Sequence, residues 1–432
     1  MGRIYPFLRA LSSLLLGAMV LIGFGSLIVL DNLKNKLLNP EFYETTISAE
    51  DTYNRIHSEI LPVIGQSLYT TSLLENIPDI TSQEMTALLQ ELITPSYIQK
   101  QLDESINQII GYINDDKSVL YVYIDVDEPL NNVKPVTFAF IDEKIDNVRL
   151  ENPGVVDCSQ TGVNYLITRY LDDFDSLSNG AIPAAIPSLH IIEPVCRRLL
   201  FDSLHAFLIG PANLDAQTIQ TLRENRDPMR ALFISGETRD MLKAASRILA
   251  ESLVDESINI FRNELANGKR INLIRELDEW HPTLTETQIM TDLSDLKIFI
   301  SNVHTLGFLI SWCLVICGIL LMGFLFWPYL SSMLRWPGLV FLITGILCFL
   351  TAKIAEHEIP NRLELFINEK ATQMSDIPDP VTDLSSDILL LFGTRLTYGM
   401  TSPALTLIII GGCLFGASFF TSTFKRLIPF IK

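Results

Sequence analysis

Between Thr283 and Trp327 an amphipathic repeat runs without a break into an apolar run, and few folds can hold both. Thr283 with Glu286 three residues on has the form of a capping box, and Ile289, Leu293, Leu296, Ile300 and Val303 recur at helical spacing. No Pro or Gly interrupts the pattern until Gly307, where the composition has become LGFLISWCLVICGILLMGFLFW. The stretch predicts one continuous helix. About 45 residues at ~1.5 Å each reach roughly 67 Å, whereas a bilayer's hydrocarbon core takes up only about 30 Å. The remainder must stand clear of the membrane as a stalk.

Such a helix needs company, and the chain supplies it. Runs of spanning length occupy residues 7–30, 303–327, 337–353 and 403–424, with no ionisable side chain in the middle of any. A mean hydropathy of +0.29 beside 19% charged residues fits separate apolar and polar compartments in one chain. The segments between the runs divide by charge. Residues 1–6, 328–336 and 425–432, with Arg9 just inside the first run, hold six basic residues and no acidic one. Residues 31–300 hold 22 basic and 42 acidic residues, and 353–402 hold 4 and 8. Because Lys and Arg are retained on the cytoplasmic side, this asymmetry places both termini in the cytoplasm, and residues 31–302 and 354–402 outside a plasma (inner) membrane. The first run is longer than a signal-peptide core and lacks an A-x-A site, so it reads as an uncleaved anchor. Trp327, Tyr329 and Trp336 fall where an interfacial aromatic belt would lie.

The expected fold class is therefore mainly α: a four-span helical membrane protein with a large helical extracytoplasmic domain between spans 1 and 2, and at most one short β ribbon. The first span should continue as helix to Asn39-Pro40, making a second stalk. Ser48 can cap a helix bearing Tyr53, Ile56, Ile60, Ile64 and Leu68, bent at Pro62. Thr81 with Glu84 forms a second capping box, and Thr94-Pro95 opens a helix striped by Ile98, Leu102, Ile106, Ile109 and Ile113. Ser118–Val126 is β-branched and aromatic and reads as extended, with Val136–Ile141 open to either strand or helix. Residues 152–211, richer in Pro and Gly, read as irregular. Thr238 begins a helix ended near Asn267-Gly268. Ile359, Leu363, Phe366, Ile367 and Met374 form a small amphipathic outer cap.

Six cysteines divide unequally. Cys313, Cys317, Cys348 and Cys413 lie in apolar runs and read as small apolar side chains. Cys158 and Cys196 lie in the outer domain, where an oxidising compartment permits a disulfide; buried free thiols and a redox or metal role are the alternatives. The histidines (His57, His190, His205, His281, His304 and His357) form no H-E-x-x-H and read as surface or interfacial. The acidic groups Asp125, Asp127 and Glu128, and Asp172, Asp173 and Asp175, do not fit a calcium loop and read as solvated helix ends. No G-x-S-x-G, Walker A lysine loop or Rossmann glycine pattern occurs, so catalytic residues and cofactors are not indicated. The acidic surplus argues against nucleic acid as a partner.

One span, a large outer domain and three further spans resemble, in topology, the permease subunits of MacB- and FtsX-type ABC systems. That resemblance implies coupling of the ectodomain to an ATPase. The reading preferred here is a non-catalytic membrane protein whose ectodomain binds a protein, lipid or cell-envelope partner, with the lipid bilayer as its standing environment. A membrane-bound hydrolase is the remaining alternative.

Overall fold

The computed structural model describes residues 4–49, 51–70, 80–114, 116–154, 158–178, 182–210, 216–265, 267–280, 285–327, 330–373 and 378–427. The chain is mainly helical. Helix α1 spans Ile4–Leu37, α2 Pro40–Ala49 and α3 Thr52–Arg55; a π-helical turn at Ile56–Ile60 leads into α4, Leu61–Thr70. Then come α5 (Ser82–Leu92), α6 (Pro95–Ile113), β1 (Tyr123–Asp125), α7 (Asp127–Asp146) and β2 (Arg149–Glu151). Next are α8 (Gln160–Ser178), β3 (Ala185–Pro187), α9 (Pro194–Leu208), α10 (Ala216–Glu224), α11 (Arg226–Ser235) and α12 (Thr238–Glu264). The chain ends with β4 (Arg270–Asn272), α13 (Leu273–Trp280), α14 (Glu286–Leu325), α15 (Leu330–Gln373), α16 (Asp379–Thr397) and α17 (Thr401–Leu427). Among the described residues, four helical stretches are long and apolar enough to cross a membrane: Leu11–Leu37, Glu286–Leu325, Ser331–Phe366 and Asp379–Phe420.

Local signals explain many of these boundaries. Thr81 and Glu84 complete their reciprocal capping box. The Thr94 hydroxyl accepts from Tyr97 N at 3.2 Å, with Pro95 at the first helical position. The long helix α14 starts two residues later than its sequence suggests: Thr285 caps it by accepting from Gln288 N, while Thr283 lies outside the described residues. Asn39 accepts from Glu41 N at 3.1 Å, so Pro40 both ends α1 and opens α2, and Ser48 falls inside that helix instead of capping the next. The π-turn sits just ahead of Pro62, where a missing N–H and a ring clash oppose regular α geometry.

One open reading is resolved, since Val136–Ile141 is helical, inside α7, and three expectations are corrected. Residues 152–211 contain two substantial helices, α8 and α9. Instead of at most one ribbon, the described residues form two two-stranded ladders, β1 with β4 antiparallel and β2 with β3 parallel. Finally, the apolar run at 337–353 and the amphipathic segment that follows it lie in one 44-residue helix, α15, which runs through Pro360, while Met374 lies outside the described residues.

The chain divides into two compact units. The first comprises residues 1–55, 99–122 and 273–432. Its apolar helices pack through small residues, which in lipid let backbones approach where no hydrophobic drive exists between helices. On α1 and α14 the fit is reciprocal: a Cβ on Gly318 would come within 2.6 Å of Val20, and one on Gly23 within 2.8 Å of Val315. Phe24 meets Phe341 of α15 edge-on at 5.4 Å, and Val20, Met322 and Phe341 form a buried cluster. The α15–α17 pair is closer still, with Gly338 and Gly345 facing Gly411 and Ala404.

Cations complete both ends of this unit's helices. Arg9 donates to the Leu325 carbonyl at the end of α14 and lies 4.8 Å from the Phe326 ring, which stacks on Trp336 at 5.3 Å. At the other end Asn32 donates to Leu396 O at 2.6 Å. Lys36 donates to Leu396 O at 3.1 Å and also to the Arg395 and Tyr398 carbonyls, so one ammonium satisfies the open C-terminus of α16. Arg55 pairs with Asp387 at 2.8 Å.

The second unit comprises residues 56–98 and 123–272. One core runs through it, built on Ile145, Leu166, Ile186, Leu189, Leu200, Leu222 and Phe233. Helices α7 and α12 lie antiparallel and are stitched by polar pairs that step forward on one and backward on the other. Asp127 meets Arg262 at 3.4 Å, Lys134 meets Glu251 at 2.6 Å, Asp142 meets Arg247, and Asp146 meets Lys243 at 2.7 Å. Each exposed pair contributes well under ~1 kcal/mol, so the ladder fixes register more than stability.

Candidate functional site

Helix α9 carries the features that most need explaining. Pro194 at its start and Cys196, Leu200, Leu204 and Leu208 at successive i, i+4 positions make it amphipathic toward the core, where all four are buried. Yet its opposite face is also apolar. Val195 is 67% exposed and Leu199 50%, and exposed Ala206 lies within ~40° of both at ~100° per residue. A helix that buries one apolar face ordinarily turns charge to solvent on the other. Here Arg198 borders the stripe, and Asp202, between Leu199 and Ala206 along the helix, turns to Arg226 at 3.0 Å and Arg230 at 3.3 Å.

The helix is also covalently pinned. Cys158 and Cys196 are disulfide-bonded, their Cα atoms 5.2 Å apart across a sequence separation of 38. Cys196 lies in the first turn of α9, so the bond ties the start of that helix to the approach to α8. Glu193 lies close enough to complete a trio of ligand-type atoms with the two sulfurs, but both sulfurs are spent on each other, which leaves no thiolate for a metal.

Beneath α9 the core holds a cavity of about 60 Å³. Its wall is apolar, including Phe201, Leu222, Met229, Phe233 and Ala245, apart from Tyr170, His205 and Asp173. Two of those polar groups are engaged elsewhere: the Tyr170 hydroxyl donates to Pro187 O at 2.8 Å, and His205 Nε2 lies 3.3 Å from Leu222 O and stacks on Phe201. Asp173 differs. It is 8% exposed, and its Oδ2 is buried without a hydrogen-bond partner. Burial pushes its carboxyl up to about 6; the nearby Arg169 guanidinium pulls it down, and Asp172 and Glu151 push it up.

Two sequence readings are thereby corrected. Asp173 is not a solvated helix end, because α8 turns Val163, Leu166, Tyr170 and Asp173 to one buried face. His205 is buried, not superficial. The other acidic cluster is paired: Asp127 meets Arg262 and Lys269, and Asp125 meets Arg270 at 3.6 Å. His57 exchanges hydrogen bonds with Gln90 through ring and carbonyl, His304 stacks on Phe308 at 5.9 Å, and His281 lies outside the described residues.

A raised carboxyl pKa carries a definite sign. Below pH ~4 Asp173 is neutral folded and unfolded; between ~4 and ~6 the unfolded chain ionises first, so stability falls as pH rises, and the loss is complete above ~6.5. The difference between wild-type and Asp173→Asn unfolding free energies is therefore expected to change by about 2 kcal/mol across that window, in favour of the variant at pH 7.5. Denaturant melts of both proteins at pH 4.5 and 7.5 check it; a pH-independent difference refutes it.

The architecture is that of a mainly helical chain with four helices fit to cross a membrane, joined to a helical unit with its own core. No protein-family model matches it, and no curated protein or solved structure matches it either.

Proposed function

We propose that this is a non-catalytic integral membrane protein, threaded four times through the plasma (inner) membrane with both termini cytoplasmic, whose acidic helical ectodomain docks a protein partner. The observation that carries the reading is the outer face of α9. Val195, Leu199 and Ala206 form an exposed apolar stripe on a helix already anchored on its other side by a packed core and at its start by a disulfide. A rigid, preorganised apolar face loses little entropy on docking, and the exposed Arg198 at its edge can help set the partner's orientation. The positive-inside charge distribution supports the threading, since the segments assigned to the cytoplasm carry basic and no acidic residues.

The test is photo-cross-linking from position 195 in native membranes, followed by gentle solubilisation and mass spectrometry. A partner cross-linked at α9 is expected, and its recovery should fall tenfold or more for Val195→Glu with Leu199→Glu, because each buries a charge in the contact. Both side chains are exposed, so the melting temperature should hold. A chain that stays solitary, or a partner unaffected by the double variant, overturns the proposal.

A further inference from the structure

Where α1 and α14 emerge from their apolar runs, an open groove of about 860 Å³ lies between them, bordered by the end of α6. Its lining includes Lys34, Asn35, Asn114, Asp116, Lys297 and His304. Residues 34, 35 and 38 share one face of α1, and 297, 301, 304 and 305 share one face of α14. The end of α6 is tied in on both sides: Asn114 donates to Leu38 O at 2.7 Å, and the Lys297 ammonium lies 4.5 Å from the Tyr112 ring.

The groove has a definite depth. A Cβ on Gly307 would come within 3.1 Å of Leu30, so these two residues mark the level at which the apolar run of α1 ends. At ~1.5 Å per residue, Lys34 stands roughly 6 Å and His304 roughly 4.5 Å beyond that level, whereas Leu38, with Asn114 on it, stands roughly 12 Å beyond. A bilayer's headgroup zone extends about 5 to 8 Å past the hydrocarbon on each side. Lys34 and His304 therefore lie at headgroup depth, and Asp116, two residues past Asn114, lies in a layer farther out.

The two layers carry opposite charge. Among the described residues, the side chains of Lys34 and Asp116 pair neither with each other nor with anything else, although both line the groove. A lone anion would answer Lys34 and leave Asp116, and a lone cation would do the reverse. A ligand with its anion deep and its cation shallow answers both. An apolar track leads away from the deep layer: Leu309, Trp312 and Ile316 continue the face of Ser301 and Thr305 along α14, and all three are exposed. The groove's volume also falls in the ordinary range of about 300 to 1,000 Å³ for ligand sites.

We propose that this groove binds a zwitterionic phospholipid of the phosphoethanolamine type. Its phosphate accepts from Lys34 and His304, its ammonium donates to Asp116, and its acyl chains lie along Leu309, Trp312 and Ile316. The inference rests on α1 and α14 crossing the bilayer, as in the reading above, and on neither the partner of α9 nor the side of the membrane that the groove faces.

The test titrates delipidated full-length protein in mild detergent with dioleoylphosphatidylethanolamine and reads the adducts by native mass spectrometry. Binding at least tenfold tighter than that of dioleoylglycerol, which lacks the headgroup, is expected. Lys34→Gln should weaken phosphatidylethanolamine and phosphatidylglycerol alike, by fivefold or more. Asp116→Asn should weaken only phosphatidylethanolamine, since phosphatidylglycerol has no ammonium to lose. Both side chains are exposed, so the variants should melt like the wild type. Chain-free glycerophosphoethanolamine should not compete; equal competition would make this a site for soluble phosphate esters and overturn the lipid. Phosphatidylethanolamine bound no tighter than dioleoylglycerol overturns the proposal, as does wild-type binding by either variant. Retention of the protein in carbonate-washed membranes separates the two readings: release would count against the spanning helices themselves, whereas retention with no headgroup preference would sink the groove alone.

Discussion

Gly411→Leu is expected to separate α17 from α15. At this crossing the two backbones touch: a Cβ on Gly411 would overlap Leu342 N and come within 2.9 Å of Gly338 O, and one on Gly345 would come within 2.8 Å of Ile408 N. Overpacking against a flexible side chain can be relieved by a rotamer change, but these neighbours are main chain, and only movement of a whole helix makes room. We expect a cost of ~3 kcal/mol or more, at the upper end for inserted bulk in a packed interface. Gly412→Leu is the control one residue away, since a Cβ there meets nothing within 4 Å, and it should melt like the wild type. Thermal melts in detergent with size-exclusion profiles separate the two variants. Equal melting of Gly411→Leu and wild type would mean that the helices do not cross as described.

This close approach was only half legible beforehand. The runs at 337–353 and 403–424 announce apolar helices through composition alone, and glycine is common enough in such helices that Gly338, Gly345 and Gly411 single themselves out only once their partners are known. Signals that act within one or two turns were readable in full, as with the Thr81–Glu84 box and the Thr94-Pro95 start. Signals that a neighbour can override were not. Pro360 costs one turn's hydrogen bond, but α15 runs through it, and Gly393 of α16 packs against Ile359 and Leu363, one on each side of it.

Residues 152–211 conceal their helices for a related reason. The Pro and Gly residues flanking α8 dominate its composition, yet Val163, Leu166 and Tyr170 repeat at helical spacing inside it. Followed one turn further, that phase lands on Asp173, so the buried carboxylate had a sequence signal that the surrounding acidic residues masked. The exposed stripe on α9 had none, because Val195 and Leu199 look like core residues until the other face of the helix is seen to be full.

Removing the disulfide should produce the largest loss in the second unit. Closing a loop across 38 residues restrains the unfolded chain by about 4 kcal/mol on the chain-entropy estimate, so Cys158→Ala with Cys196→Ala is expected to lower the unit's melting temperature by roughly 8 to 16 °C. The loop it closes holds α8 and β3 and ends at the first turn of α9, so the loss should fall on the elements that frame both the cavity and the apolar stripe. Hydrogen exchange can localise it: faster exchange in α8 and α9, with α14 and α17 unchanged, is the expected pattern. Reduction of the wild type should reproduce the double variant, and a mobility shift on a non-reducing gel of protein from intact cells would show that the bond forms in place, which requires an oxidising compartment. A double variant that melts with the wild type would leave α9 positioned by its packed face alone. In that case an outer face held so firmly without its covalent tie would owe its order to Cys196, Leu200, Leu204 and Leu208, and shortening Leu200 to alanine should then loosen the stripe more than losing the bond does.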